Sequence, residues 1–305
     1  MQSVIETHNL SKQYGSVHAL NQVNISVDQG DIYGLIGRNG AGKTTLMKII
    51  NRQILASEGS FDILGENVTR NDNISLRIGT LIEAPGLYLD LTAYQNIALK
   101  CQLAGIRRPG YIEELLHLVN LADTGRKRAK NFSLGMKQRL GLAIALVGDP
   151  DILLLDEPTN GMDPQGIAEF RQMILRLNRE RHISVVISSH ILGELSKFIT
   201  KLGIIHEGQL IKEARLSDLE HENQDHLTIK AADLKPIVAF LEDQLHITNF
   251  TVISPTELHI FEHLQAPESI SHPLIKAGIL FDTLELDRHS LEDMFLTLTG
   301  GAVHA

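Results

Sequence analysis

The chain has 305 residues, of which 43% are hydrophobic and 21% charged. That is long enough to bury a large core and ordinary for a globular protein, which excludes a disulfide-dependent mini-protein and a largely unstructured chain. The formal charge of -9 is unevenly spread: residues 1–219 carry 24 basic and 23 acidic residues, residues 220–305 carry 4 and 14. Neither part has the basic excess that neutralises phosphates along a nucleic acid, so no nucleic-acid partner is expected.

The first thirty residues hold three short apolar runs, at 4–8, 17–19 and 25–27, separated by Gly15 and polar turns; they predict antiparallel strands. From Ile32 to His206, β-branched apolar runs alternate with stretches of helical period, the signature of a mainly parallel sheet covered by helices. Residues 32–36, 78–82, 152–155 and 183–188 read as strands buried on both faces, having little polar alternation. Residues 92–104, 112–119, 134–146 and 165–178 carry apolar residues at helical spacing. The one cysteine, Cys101, falls in the first of these helices and is expected to be buried there; a single thiol forms no internal disulfide and fits a reducing compartment.

After Gly208 the pattern changes. Residues 227–229, 234–243, 249–253, 257–261, 268–277 and 279–286 read strand, helix, strand, strand, helix, strand, an order that predicts a small α+β ferredoxin-like unit, closed by a helix at 291–298. The charged run 218–225 has little to bury and places the boundary, giving domains 1–218 and 225–305. No basic-then-apolar leader stands in the first ten residues. The longest apolar stretches, 140–148 and 152–155, fall short of the ~18–20 residues that span a bilayer, so the chain is expected to be cytoplasmic and to act at a membrane only through a separate partner.

Residues 37–45 read GRNGAGKTT, between a buried strand and a helix. This fits the phosphate-binding loop G-x-x-x-x-G-K-[ST] in its proper context. Gly37, Gly40 and Gly42 let the backbone curl, so that its N–H groups, across Arg38, Asn39, Ala41 and Thr45 as well, surround phosphate oxygens at a helix N-terminus. Lys43 is expected to neutralise the β- and γ-phosphates of ATP and Thr44 to offer a hydroxyl to Mg2+. Farther on, residues 152–157 read ILLLDE, a strand ending in two carboxylates at the edge where α/β sheets bind ligands. Asp156 is expected to hold the Mg2+ through water. Glu157 is expected to orient or deprotonate an attacking water.

Residues 132–140 read FSLGMKQRL ahead of a helix. By chemistry alone Ser133 and Gly135 are either a helix cap or a second phosphate site with free helix N–H groups. Here the chain resembles the ATP-binding subunits of ABC transporters, whose signature Ser133, Gly135, Gln138 and Arg139 match, over roughly residues 1–215. The resemblance implies a P-loop NTPase domain with an antiparallel β subdomain and a helical subdomain, which pairs head to tail with a second ATP-binding subunit, each signature closing over the ATP of the other. It also implies that Tyr14 stacks on adenine, that Asp163 in NGMD lies in the loop between the two sites, and that His190 in ISSHILGEL contacts the γ-phosphate. Separate membrane-spanning permease subunits are the implied partners, with this chain peripheral on the cytoplasmic side of the cell membrane.

One departure is Glu83, in LIEAPGLY, where most of the family has glutamine; the resemblance implies a catalytic, metal-side position, where a glutamate adds negative charge close to Mg2+ and the γ-phosphate. Glu83, the SLGMKQR signature and the ending LEDMFLTLTGG together resemble a narrower branch, the bacitracin-resistance and lantibiotic-immunity exporters. The function expected is ATP hydrolysis driving export of a peptide antibiotic. The alternatives are an exporter of another drug or lipid, and a soluble ABC ATPase without a transporter. No N-K-x-D motif favours GTP. Among the fourteen histidines the nearest to a zinc motif, His221 and His226, are spaced i,i+5 and would not share a helix face. The acidic C-terminal unit offers no catalytic constellation, and a regulatory or dimer-contacting role is expected for it.

Overall fold

The computed structural model describes residues 2–68, 77–222, 225–287 and 291–299, arranged in two compact units that divide after Leu216. Within the charged run 218–225, Asn223 and Gln224 lie outside the described residues, as do Gly300 and Gly301 of the C-terminal motif.

In the first unit, β1 (Ser3–Tyr14) is a single strand of twelve residues where the sequence predicts only residues 4–8. Its length follows from its partners. Near one end it pairs with β3 (Ser26–Asp28), near the other with β2 (Val17–Val23), and register shifts around Leu10 and Lys12 bend it between them. Such bulges let one strand serve two partners. After β4 (Ile32–Ile36) and α1 (Lys43–Ile50), two strands missed by the sequence reading, β5 (Glu58–Ile63) and β6 (Glu66–Asn67), complete this antiparallel sheet in the order β2-β1-β5-β6.

The central sheet adds β7 (Ile78–Leu81), β8 (Ile152–Leu155), β9 (Ser184–Ser189), β10 (Lys201–His206) and β11 (Gln209–Arg215), in the order β11-β10-β4-β9-β8-β7. All are parallel except β11, which folds back on β10. Every residue of β4, β8 and β9 is buried, which is why these strands show no polar alternation in sequence. The helices are α2 (Ala93–Leu103), α3 (Tyr111–Leu118), α4 (Leu134–Ala145), α5 (Pro164–Arg181) and the one-turn α6 (Leu192–Leu195). Three of them start on a side-chain cap: Thr92 and Gln95 form a reciprocal capping box on α2, Ser133 caps α4, and Asp163 caps α5 ahead of Pro164. Cys101 is buried on α2 and that burial pushes its thiol pKa up, so it is a packing residue.

Helix α4 lies so close over β7 that Gly79 has no room for a side chain: an added Cβ would stand 2.1 Å from the Ala145 carbonyl oxygen. Backbone cannot yield as a side-chain end can. Gly79→Ala is expected to cost about 3 kcal/mol, a fall of roughly 6–12 °C in Tm, measured by thermal unfolding followed by circular dichroism.

The charged run that places the boundary is helical as far as Glu222, in α7 (Leu216–Glu222), whose Leu216 and Leu219 are buried. The second unit then contains β12 (His226–Lys230), α8 (Lys235–Asp243), β13 (Phe250–Ser254), β14 (Glu257–Ile260), α9 (Glu268–Lys276), β15 (Thr283–Asp287) and α10 (Leu291–Leu298). Its four strands are antiparallel in the order β13-β14-β12-β15, the ferredoxin-like arrangement. Leu227, Ile229, Leu258 and Ile260 share a core with Ile237 and Leu241 of α8 and Ile270 and Leu274 of α9. The last strand starts at Thr283, four residues later than the sequence suggests. Gly278 takes φ +73° and the Ile279 N–H bonds back to the Leu274 carbonyl, closing α9 with a left-handed turn and using the donor that a strand would need.

Candidate active site

The ligand edge of the central sheet is built from three loops that leave β4, β8 and β9. In the first, Gly42 holds φ +112°, and a Cβ on it would lie 2.6 Å from the Ala19 carbonyl oxygen of β2; glycine is required twice over, by conformation and by space. The Gly208 N–H donates to the Ala41 carbonyl at 3.0 Å, and the Gly208 carbonyl accepts from the Asn21 N–H at 2.8 Å, so the β10–β11 turn fastens the loop to the antiparallel sheet. Arg38, Asn39 and Gly40 are exposed. Lys43 is only 5% exposed. Its ammonium donates to the Gly37 carbonyl at 2.7 Å and the Arg38 carbonyl at 3.2 Å, and pairs with Glu157 at 3.2 Å.

In the sheet β9 lies between β4 and β8, so the loops after β4 and β8 meet across its end. The Thr44 hydroxyl donates to Asp156 Oδ2 at 2.7 Å. Asp156 is buried, and its other oxygen, Oδ1, accepts from the Ser188 hydroxyl of β9 at 2.6 Å. Glu157 adopts φ +45°. Its Oε1 faces Lys43, and its Oε2 is 2.9 Å from Nδ1 of His190, which follows β9 directly. Five of the residues singled out from the sequence, Lys43, Thr44, Asp156, Glu157 and His190, thus form one connected polar group.

Ser133, Gly135 and Asp163 gather around a cavity of about 430 Å³, which they line with Leu134, Arg139 and Gly161. Ser133 accepts from the Met136 N–H at 3.3 Å, as a helix cap does, and a Cβ on Gly135 would meet nothing within 4 Å, so the start of α4 presents an open backbone.

Tyr14 is half exposed at the end of β1, beside the Lys12 ammonium, 4.9 Å from its ring centroid. Glu83 takes φ +63°, and its carboxylate pairs with Lys48 at 2.5 Å. Lys48 stands one turn beyond Thr44 on α1, so Glu83 reaches the helix that carries the phosphate loop, through a residue other than Thr44.

Two members of this network were missed in the sequence. Ser188 is a buried polar residue directly after the apolar run Val185, Val186 and Ile187, and such a residue must find a hydrogen-bond partner; that was a readable signal. Lys48 follows Thr44 by four residues and so shares its helix face, but nothing in the spacing links it to Glu83.

Residues 20–160 match the family model described as ABC transporter. Over 302 residues, 99% of each chain, the sequence is 40% identical to the bacitracin transport ATP-binding protein BcrA of Bacillus licheniformis. The chain belongs to the ABC transporter ATP-binding proteins. As an ABC ATP-binding protein, its general activity is ATP hydrolysis coupled to transport. It is also 41% identical over 218 residues to the lantibiotic transport ATP-binding protein SrtF of Streptococcus pyogenes, a match covering 72% of this chain and 93% of that one. Among solved structures, an ATP-binding cassette in a dimeric post-hydrolysis state, bound to ADP and Pi, superposes with a TM-score of 0.63 at 25% identity, covering 70% of this chain and 98% of the other. The ABC fold expected from the sequence is the fold found. Among the described residues no helix is long and apolar enough to cross a membrane.

Proposed function

We propose that this ABC protein hydrolyses ATP to drive the export of a peptide antibiotic of the bacitracin or lantibiotic type. It works as a head-to-tail pair, bound to separate permease subunits on the cytoplasmic side of the cell membrane. The observation that carries the catalytic part is the connected group Lys43, Thr44, Asp156, Glu157 and His190; the substrate class rests on the likeness to BcrA and SrtF.

In this reading the backbone of the loop at Gly37, Arg38, Asn39, Gly40, Ala41, Gly42 and Thr45 cradles the phosphates, and Lys43 exchanges its pairing with Glu157 and the loop carbonyls for phosphate oxygens. Thr44 and Asp156 offer hard oxygen donors side by side, which suits Mg2+, a cation that takes a few protein oxygens and completes its shell with phosphate and water. Bound there, Mg2+ would supply charge neutralisation for the β- and γ-phosphate oxygens. Glu157, fixed between Lys43 and His190, aligns the attacking water and accepts its proton, while His190 faces the γ-phosphate. Tyr14 packs on the adenine. Ser133 and Gly135, with Asp163 beside them, close over the nucleotide held by the second subunit, the open backbone at the start of α4 being the surface offered.

Growth inhibition tests the assignment. A strain lacking this protein but keeping its permease is exposed to bacitracin and several lantibiotics. A selective rise in sensitivity, restored by the wild-type chain and not by Glu157→Gln, is expected; unchanged sensitivity across the panel removes the antibiotic assignment. For residues 225–305 a regulatory or dimer-contacting role is proposed, and full protection by a chain ending at residue 222 would refute it.

We assign Glu83 to coupling with the permease; its pairing with Lys48, on the helix that follows the phosphate loop, supports this reading. Glu83→Gln is expected to leave ATP affinity within about twofold, since exposed ion pairs such as Glu83–Lys48 contribute little, while changing protection against the antibiotic. A large loss of affinity in a binding titration would refute the assignment.

A further inference from the structure

Ser188 occupies the fifth position of β9, 1% exposed, after Val185, Val186 and Ile187. Its strand runs level with β8 through the pair Ile187–Leu155 and with β4 through the pair Ser188–Leu35. That register puts its hydroxyl beside the first two residues to leave β8. The one oxygen makes two bonds to consecutive residues: it donates to Asp156 Oδ1 at 2.6 Å and accepts from the Glu157 N–H at 2.9 Å. Glu157 holds φ +45°, in the left-handed region that side-chain-bearing residues rarely occupy without support. The Asp156 carboxylate has its second oxygen on Thr44, so Ser188 fixes the carboxylate plane and the Glu157 peptide at the same time.

We propose that Ser188 is a positioning residue that locks the metal-side carboxylate Asp156 and the water-side carboxylate Glu157 at one spacing. This rests on the roles given to Asp156 and Glu157 above. A hydroxyl that only filled a hydrogen-bond need in the core would support folding and nothing else. A hydroxyl shared between the two carboxyl-bearing residues also sets how strongly Mg2+ tightens nucleotide binding, and how well Glu157 faces the water.

The test uses the full-length protein with Ser188→Thr and Ser188→Val. Both side chains add the same bulk at a buried position, but only threonine keeps the hydroxyl. A fluorescent ATP analogue is titrated with and without Mg2+, and kcat and KM for ATP are measured in parallel. Relative to Ser188→Thr, Ser188→Val is expected to lose about 10–100-fold in kcat and a similar factor in the Mg2+-dependent part of the affinity, with Mg2+-free affinity within about threefold. Equal behaviour of the two variants in both measurements overturns the proposal. Should either variant fail to fold by circular dichroism, Ser188→Ala against wild type gives the same reading without added bulk: a Mg2+ dependence of binding unchanged from wild type overturns it. If Glu157→Gln kept full turnover, the role of Glu157 would fail; if that variant is inactive while threonine and valine at 188 behave alike, only the role of Ser188 fails.

Discussion

Glu157→Gln is expected to retain ATP binding and lose steady-state hydrolysis by about 10²–10⁴-fold, the range for removing a positioned general base. The amide has the size of the carboxylate and can still lie between Lys43, 3.2 Å from Oε1, and His190, 2.9 Å from Oε2. What it loses is the negative charge and the ability to accept a proton. Lys43 then keeps the Gly37 and Arg38 carbonyls and the amide oxygen as acceptors but has lost its counter-charge, which leaves more of its charge for phosphate, so affinity is expected to hold or rise. Phosphate release and equilibrium binding of a fluorescent ATP analogue measure the two effects separately. Undiminished hydrolysis would remove Glu157 as the base.

Lys43→Met is expected to act on the other quantity, weakening ATP binding by about 100-fold. A hydrogen bond to a charged group contributes about 1.5–3 kcal/mol, and each tenfold in affinity is about 1.4 kcal/mol. Methionine fills most of the buried volume but leaves the two loop carbonyls and Glu157 without their cation. Arginine is not expected to rescue binding, because its planar fork cannot occupy the compact position that an ammonium takes between two carbonyls and a carboxylate. Equilibrium titration of both variants decides the matter, and an affinity within threefold of wild type would mean that Lys43 does not bear on the phosphates.

Much of this site is legible in the sequence because its parts are local. The loop of residues 37–45 needs glycines at fixed offsets and a lysine at a helix start, and the acidic pair needs only an apolar strand before it; both leave dense patterns in a few consecutive residues. His190 is not local in that sense. Nothing in its own neighbourhood ties it to Glu157, and only the order of the motifs gave it away. Ser188 and Lys48 escaped because their partners, Asp156 and Glu83, are 32 and 35 residues distant, so their meaning depends on sheet order and helix position. The fold shows the same division. Buried parallel strands and capped helices announce themselves, whereas β5, paired with β1, and β6, paired with β5, are half-exposed strands that carry a weak apolar pattern. The missed start of β15 turns on a left-handed glycine whose effect is conformational and leaves no mark in hydropathy.

The strand order of the central sheet also sets a clock. β4, which launches the phosphate loop, takes both of its neighbours, β9 and β10, from the far end of the first unit, and the loop itself is fastened by Gly208. While the chain is being made, at roughly 5–20 residues per second, β4 has nothing to pair with for roughly 7–30 s, until β9 is made. Contacts so distant in sequence also form slowly after release. The nine residues that identify the site are therefore complete in the chain well before β9 and β10 are, but they become a phosphate cradle only after the turn at Gly208 has left the ribosome.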